Sequence, residues 1–220
     1  MVMYTPAAAN DLGGLAAMAQ QVNDAVWGAN TAFWNSRIPV SVRLVYSGQL
    51  NYAETGKLST DLKRLAGTSD GYMDNVHALR NQYKADLVSL FEFNGDAGGL
   101  GYELTDVNNP ANNKYGFSIS LAYQAAGPSF TLAHEMGHNL GASHDKANAG
   151  GPGATSYAYG WRFTAQGVLY HDIMAYSPGQ TIPYFSNPRV KYKGVPTGTA
   201  TADNARTITF TAPYVAKYRS

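Results

Sequence analysis

The stretch TLAHEMGHNLGASHD, residues 131–145, holds three of the five histidines of this 220-residue chain. His134 and His138 are four residues apart, so on a helix both side chains lie on one face, one turn apart. Glu135 is rotated by about 100° around the helix axis from His134, so it can stand beside a metal ion without binding it. The spacing predicts a metal-binding helix over about 129–140 with a carboxylate next to the metal.

A third histidine follows the predicted end of this helix. Gly141 tolerates the positive φ that ends a helix, so the chain can turn back there. His144 then reaches the same ion from another direction. Three neutral imidazoles leave one position on zinc open for water, which is typical of a catalytic site. The pattern predicts His134, His138 and His144 as zinc ligands, with Glu135 as the general base.

The full string H-E-x-x-H-x-x-G-x-x-H resembles the zinc-binding motif of the metzincin metallopeptidases. That resemblance implies a methionine turn beneath the metal, and HDIMAYS at 171–177 offers Met174, thirty residues after His144. The adjacent His144 and Asp145 are similar to the reprolysin/adamalysin branch. Two further stretches resemble the bacterial peptidyl-Asp metalloendopeptidase group: DGYMDNVHALRNQYKADLVSL (70–90) and IPYFSNPRVKYKGVPTGTATADNARTI (182–208).

Tyr176 departs from the reprolysin pattern, in which proline follows the methionine by two residues. In the astacin and serralysin branches a tyrosine stands at this place and approaches the zinc, so the resemblance implies a catalytic Tyr176. The alternative is one more packed tyrosine. GGLGYEL (98–104) resembles the metzincin strand that pairs with extended substrate, through Gly99, Leu100 and Gly101. Its alternative is a flexible hairpin.

The resemblance and the periodicities together predict an α/β (α+β) metzincin-like fold. We expect one catalytic domain over 1–220, with an N-terminal subdomain of about 1–141 and a C-terminal subdomain of about 142–220. The first would hold a twisted mixed sheet with helices. The second would be irregular apart from the methionine turn and a closing helix. Helices are predicted at 12–34, 58–66, 71–84 and 202–218, the last interrupted near Pro213, and strands at 40–46, 85–93, 98–104 and 115–123. The helix at 58–66 has Ser59 or Thr60 as its predicted N-cap and ends at Gly67.

Composition excludes several classes of function and site. The absence of cysteine excludes disulfides, thiol nucleophiles and thiolate metal sites. A net charge of +1 without a basic block argues against nucleic acid as a partner. No run of about 18 apolar residues occurs, so no membrane span is predicted. We expect a secreted monomer whose leader has been removed. Asp96 and Asp106 are candidate calcium ligands, although their spacing matches no calcium-loop motif.

These observations predict a zinc endopeptidase that cleaves internal bonds of extended protein or peptide substrates. Two alternatives stay open: a catalytically silent protein-binding module on the same scaffold, and a zinc hydrolase acting on other compounds. The resemblance to the peptidyl-Asp group implies cleavage on the amino side of acidic residues, which calls for a cationic pocket. Arg162, Arg189 and Lys191 are the candidate cations; the alternative is that each is a solvated surface charge.

Overall fold

The computed structural model describes residues 1–219 and contains a five-stranded mixed sheet. Its strands run in the order β2-β1-β3-β5-β4. The first four strands in this order run parallel to one another, and β4 joins β5 antiparallel at one edge. The twisted mixed sheet predicted for the N-terminal part is therefore confirmed. The strands are β1 (Val2–Tyr4), β2 (Ser47–Gln49), β3 (Val88–Glu92), β4 (Gly99–Gly101) and β5 (Phe117–Leu121).

Helices cover both faces of this sheet because its central strands are apolar on both sides. Successive side chains of a strand point to opposite faces, and on β3 Phe91 joins one buried cluster while Leu90 joins another. Helix α2 contributes to the first cluster and α3 to the second. The helices are α1 (Pro6–Asp11), α2 (Leu15–Asn35), α3 (Leu58–Ala66), α4 (Asn75–Gln82), α5 (Thr131–Asn139) and α6 (Asn204–Val215).

Beyond α5 the chain is mostly loops, with short strand pairs between them. A third apolar cluster, which includes Phe163, Tyr170 and Ile182, stabilises this part. Helix α6 packs back onto the cluster that α2 shares with α5, so it closes the fold as predicted. The short strands are β6 (Ser143–Asp145), β7 (Tyr159–Gly160), β8 (Arg162–Ala165), β9 (Val168–His171), β10 (Gln180–Thr181), β11 (Lys191–Tyr192) and β12 (Val195–Pro196).

The strand predicted at 40–46 was wrong. No regular strand forms there, and β2 begins only at Ser47. The side chain of Asn30 on α2 binds both the N–H and the carbonyl of Val42, at 2.8 and 2.9 Å. These bonds tie the backbone to a helix instead of a sheet. The interruption of α6 near Pro213 was also wrong, because the helix continues to Val215.

Two further helix predictions need correction. Helix α1 was not predicted; Thr5 caps it by accepting a hydrogen bond from Ala8 N at 3.0 Å. Helix α3 has Lys57 at its N-cap position instead of Ser59 or Thr60. Its first free N–H, on Leu58, is bonded by the carboxylate of Asp96 at 3.1 Å. Asp96, 38 residues away in sequence, thus accepts the hydrogen bond that a local N-cap side chain would otherwise accept. The helix ends at Gly67 as expected.

Glu92 is a buried glutamate on β3 with no solvent exposure. Neither carboxylate oxygen has a hydrogen-bond partner within residues 1–219. Burial, with the nearby carboxylates of Asp61 and Glu54, raises the pKa of Glu92 to about 9. Asp61 is itself held by Tyr52 and Thr55. No cation among residues 1–219 acts to lower the pKa of Glu92. The folded state therefore keeps Glu92 protonated at neutral pH.

The protonated state of Glu92 predicts a pH-dependent stability. Glutamate in the unfolded chain ionises near pH 4.5 and Glu92 in the folded chain near 9, so stability falls as the pH rises through this window. The slope for one such group is at most about 1.4 kcal/mol per pH unit. We expect Glu92→Gln, a neutral isostere, to raise the Tm at pH 8 more than at pH 5. An exposed-site control, Asp11→Asn, should change neither value, and an unchanged pH slope in Glu92→Gln would contradict the assignment.

Within the part of the chain that the structure describes, no helix is both long and apolar enough to cross a membrane.

Candidate metal centre

Helix α5 ends where the sequence predicts, and its end directs the chain back towards the histidines. Gly141 has φ = +84°, a conformation that other L-residues rarely adopt. The N–H groups of Gly141 and Ala142 bond the carbonyls of His138 and Gly137, each at 2.9 Å, in a glycine-terminated helix end. Strand β6 follows at once and carries His144.

The three predicted histidines meet at one point. Nε2 of His144 lies 3.1 Å from Nε2 of His134 and 2.9 Å from Nε2 of His138. One ring nitrogen of each histidine lies within 4.8 Å of a ring nitrogen of each of the other two. Ligand nitrogens around a tetrahedral zinc would be separated by about 3.3 Å, given Zn–N bonds of about 2.0–2.1 Å. The spacing of the cluster matches a single small cation.

The hydrogen bonds of the other ring nitrogens fix which nitrogen faces the centre. Nδ1 of His134 donates to the carbonyl of Ile173 at 2.7 Å, and Nδ1 of His138 donates to that of Ala142 at 3.0 Å. The proton of each neutral ring is thus on Nδ1, which leaves a lone pair on each Nε2 pointing inward. Such facing lone pairs repel each other unless a cation lies between them, and backbone-anchored imidazoles are usual in metal sites.

Burial keeps these rings neutral. It lowers the pKa of His134 to about 4, and it lowers the pKa of His138 well below its usual value. The pKa of His144 is also lowered by burial, against an opposing contact with the backbone of Asn148. Neutral imidazole is the form that binds metal. The residues present therefore fit a zinc ion.

Glu135 lies beside the cluster and outside it. The side chain is almost fully buried, and burial raises the pKa of its carboxyl to about 8. No hydrogen bond to this carboxylate occurs within residues 1–219. The carboxyl group thus has no competing protein partner in this part of the chain, and a cation held by the three histidines would favour its ionised form, which can bond a water molecule.

The methionine turn occupies the place that the sequence implies. Met174 is fully buried, and its sulfur packs against α5 at Gly137, where an added Cβ would come within 2.5 Å of it. Asp172 holds the turn: one carboxylate oxygen accepts from the N–H groups of Met174 and Ala175, at 2.9 and 2.8 Å. Asp172 was not predicted, although its position two residues before a turn methionine is a typical signal for such a carboxylate.

Tyr176 stands at the open side of the cluster. Its ring centroid lies 4.3 Å from that of His144 and 6.0 Å from that of His134. The side chain is 45% exposed, and within residues 1–219 its hydroxyl forms no hydrogen bond. Burial of the rest of the ring, with the charge of Glu135, raises the pKa of the phenol. A protonated hydroxyl is therefore available next to the histidines.

Asp145 connects the third histidine to the methionine turn. Its Oδ2 accepts the backbone N–H of Tyr176 at 3.1 Å, and Asn148 donates to both carboxylate oxygens. Arg162 forms an ion pair with the same carboxylate and donates to the carbonyl of Ser177 at 3.3 Å. Together they hold the segment that carries Tyr176 against β6.

The structure separates the three candidate cations. Arg162 contacts Asp145, the residue after His144, and the carbonyl of Ser177, the residue after Tyr176. Arg189 instead binds Asp203 at the start of α6, at 2.6 and 3.0 Å. Lys191 lies on the hairpin of β11 and β12. Neither Arg189 nor Lys191 contacts the histidine cluster.

The two remaining histidines and the two candidate calcium ligands have protein partners elsewhere. His171 bonds the carbonyl of Asp172 and the hydroxyl of Thr181, and His77 packs against the ring of Phe117. Asp96 binds Leu58 N and Lys57, and the carboxylate of Asp106 accepts from Asn108. Over residues 1–219, no second group of three His, Asp or Glu side chains converges as this cluster does.

The predicted substrate strand lies beside this centre. Gly99, Leu100 and Gly101 form β4, the edge strand of the sheet, with one edge unpaired. The chain after β4 is tied to α5: Leu104 N bonds the carbonyl of His138 at 3.0 Å, and Asn139 Nδ2 bonds that of Tyr102 at 2.8 Å. β4 pairs antiparallel with β5, the next strand along the chain, and the residues that follow β4 are fixed to the helix that carries the histidines.

Comparison with known proteins agrees with this architecture. Residues 1–202 match the model of the metallopeptidase family M12B, reprolysin-like. The chain is 34% identical over its full length to peptidyl-Asp metalloendopeptidases from Stenotrophomonas maltophilia and Xanthomonas campestris, of which it covers 52% and 51%. A Pseudomonas aeruginosa protein of the same name is 31% identical over 86% of the chain and 34% of its own length. The chain thus spans about half the length, or less, of these curated relatives.

A solved structure of a chaperone–substrate complex contains a chain with the same fold. The TM-score is 0.76 at 21% identity, and the match covers all of this chain and 35% of that one. The likeness confirms the fold alone, because its sequence identity is low. The family match extends over 202 residues, and the three histidines converge as that family requires of its metal site. The chain belongs to the M12B reprolysin-like family of metallopeptidases.

Proposed function

We propose that this chain is a zinc endopeptidase that hydrolyses internal bonds of extended protein substrates, with residues 1–220 as one catalytic unit. The observation that carries the proposal is the convergence of three Nε2 atoms, with the rings of His134 and His138 oriented by backbone carbonyls. Such a set with three protein ligands is typical of catalytic zinc. Family membership and the relatives' names support the reaction class.

His134, His138 and His144 would hold the zinc, which when bound supplies Lewis-acid polarisation of the scissile carbonyl and a more acidic water. Glu135 then accepts the proton of the attacking water and later delivers it to the leaving amine. Its carboxylate has no competing hydrogen bond from the protein. The open edge of β4 would pair with the substrate backbone, which gives affinity with little dependence on sequence. Leu100 projects to the opposite side of this strand from Gly99 and Gly101.

Tyr176 would donate a hydrogen bond to the oxyanion that forms when water attacks the carbonyl. An interaction made only in the transition state raises turnover and leaves substrate affinity unchanged. We expect Tyr176→Phe to keep zinc and leave KM within about threefold, while turnover falls by at least roughly tenfold. That figure is below the usual 10²–10³ for one donor because the metal shares the charge. Steady-state kinetics test this. Unchanged turnover would identify a packed tyrosine, and a rise in KM alone would place Tyr176 in the substrate pocket.

Substrate specificity would follow the name of the curated relatives, with cleavage on the amino side of acidic residues. The contact of Arg162 with Asp145, the residue after His144, supports Arg162 as the cation of this pocket, and its side chain is 25% exposed. Its contact with Asp145 uses one terminal nitrogen and leaves donors for a second carboxylate. This second carboxylate would be the acidic side chain of the substrate.

Mapping of cut sites in a mixed peptide library tests this role of Arg162. We expect the preference for acidic over neutral residues to fall by about tenfold or more in Arg162→Gln, the scale of one lost charge-assisted hydrogen bond. Lys191→Gln, an exposed-charge control, should keep the wild-type preference. Bulky apolar residues after the cut in the wild type would refute the acidic preference altogether.

A casein digest with and without a chelator tests the proposed reaction itself. Digestion that stops in chelator and returns with zinc is the expected result. No digestion under either condition would favour the silent binding module or a hydrolase of other compounds. Digestion that survives thorough chelation would overturn the role of the metal. We further propose a secreted monomer, which size-exclusion chromatography and analysis of culture medium can check.

A further inference from the structure

The two glycines of β4 present their backbone to the carboxylate of Glu135. Gly99 and Gly101 are two residues apart, so they face the same side of the strand, and this side is the one that packs on α5. A Cβ added at Gly99 would lie 2.6 Å from Oε1 of Glu135 and 2.9 Å from its Cγ. A Cβ at Gly101 would lie 3.1 Å from Oε2 and 3.0 Å from the backbone carbonyl of Glu135. A side chain at either position would thus crowd one oxygen of the carboxylate.

Space, and not backbone conformation, explains why these positions are glycine. Neither Gly99 nor Gly101 has a positive φ, so an L-residue could adopt the backbone of either position. Non-bonded heavy atoms are at their optimum near 3.5–4.0 Å, and approach below 3.0 Å is strongly repulsive. The sequence suggested that these glycines admit a substrate backbone. In the structure, the side of each glycine on which a side chain would stand faces Glu135 instead.

The strand cannot withdraw to make room for a larger residue. Gly99 and Gly101 pair with Ser120 and Ser118 of β5, and Leu121 N bonds the carbonyl of Gly98 at 2.8 Å. After β4, the bonds from Leu104 N to the carbonyl of His138 and from Asn139 Nδ2 to the carbonyl of Tyr102 join the chain to α5. Glu135 itself receives no hydrogen bond within residues 1–219, so packing is what limits its rotamer.

We propose that Gly99 and Gly101 are positioning residues that form a steric seat for the Glu135 carboxylate. The seat holds both oxygens flat against β4 and so fixes their direction towards the histidine cluster without a hydrogen bond that would compete for the carboxylate. This inference rests on the proposed role of Glu135 as the base. Displacement of a reacting group by about 1 Å can cost on the order of 10² in rate, which makes such a seat consequential.

Gly99→Ala tests the seat, with Gly98→Ala as the matched control. A Cβ at Gly98 would meet only the terminal oxygen of Gln124, at 2.5 Å, which can rotate away. We expect Gly99→Ala to retain one zinc per chain and a KM within about threefold, and to lose at least roughly tenfold in kcat. Gly101→Ala should lose less, because its contacts are longer. Gly98→Ala should retain wild-type kinetics, and retention of kcat in Gly99→Ala would overturn the proposal.

A double-mutant cycle in thermal unfolding tests the contact independently of activity. Gly99→Ala should lower the Tm by about 2–4 °C or more in the wild-type background, the scale of moderate overpacking. In the Glu135→Ala background this shift should become smaller, and the part due to the methyl group of Thr131, which would also lie 2.6 Å from the added Cβ, should remain. Equal shifts in both backgrounds would overturn the seat. If Gly99→Ala alone does not fold, rescue of folding by Glu135→Ala supports it, and Gly101→Ala provides the kinetic test.

The cycle separates the two levels of inference. If the wild type cleaves no peptide, the proposed function fails, yet coupling between positions 99 and 135 still shows the seat. If the wild type is active and the coupling is absent, the seat fails while the proposed function stands.

Discussion

Replacement of Glu135 by glutamine is expected to lower turnover by roughly 10²-fold or more while zinc stays bound. Glutamine keeps the shape of the side chain, so it should occupy the space against Gly99 and Gly101 without strain. It cannot accept a proton from water, because its amide oxygen is a very weak base. Zinc should remain because Glu135 is not among the three converging residues.

The measurement pairs steady-state kinetics with elemental analysis of the same Glu135→Gln sample. Glu92→Gln is the matched control, because Glu92 is also a buried glutamate without a hydrogen-bond partner but lies on β3, outside the centre. The control should keep wild-type turnover. If Glu135→Gln keeps most of its turnover with zinc bound, another group activates the water.

The histidine cluster could be predicted from sequence because its geometry is local. The spacing of His134 and His138 follows from the helical repeat, and the positive φ of Gly141 follows from the need to turn the chain back to His144. Both relations act within eleven residues. The convergence of these nitrogens therefore required no knowledge of distant contacts.

Errors arose where a distant partner replaced a local one. The alternating segment at 40–46 has the pattern of a strand, yet Asn30 takes up the backbone groups of Val42. The first turn of α3 has local capping candidates, yet Asp96 caps it from 38 residues away. Side chains of this kind cannot be assigned to a backbone group until the tertiary fold is known.

Around the centre, the sequence predicted the converging histidines, whereas it did not predict the hydrogen bonds that hold the neighbouring segments in place. Asp172 fixes the methionine turn, and Arg162 with Asp145 fixes the segment of Tyr176. Each of these bonds joins positions with no periodic relation in sequence. Gly99 and Gly101 were also singled out from the sequence, but for contact with a substrate backbone. The proposal that they leave room for Glu135 depends on tertiary packing, which the sequence pattern does not contain.

Substitution of His144 is expected to have the largest effect of all, because this residue alone joins β6 to the two histidines of α5. Alanine there would leave two imidazoles, and we expect loss of stoichiometric zinc and a fall in turnover of at least roughly 10³-fold, since the metal supplies both the polarisation and the activated water. His171→Gln is the control: it is a buried histidine three residues before Met174, and it lies outside the cluster. It should keep zinc and most of the turnover.

Thermal unfolding gives a second reading of the His144→Ala variant. A ligand that binds only the folded state raises its stability, and this chain has no disulfide to hold its loop-rich last third. The Tm of the wild type should therefore fall when a chelator removes the metal, whereas the Tm of His144→Ala should already be low and should not respond to chelator. The Tm of His171→Gln should still respond to it. Equal changes in Tm on chelation of His144→Ala and of the wild type would contradict the assignment. They would mean that the stabilising metal binds outside this cluster.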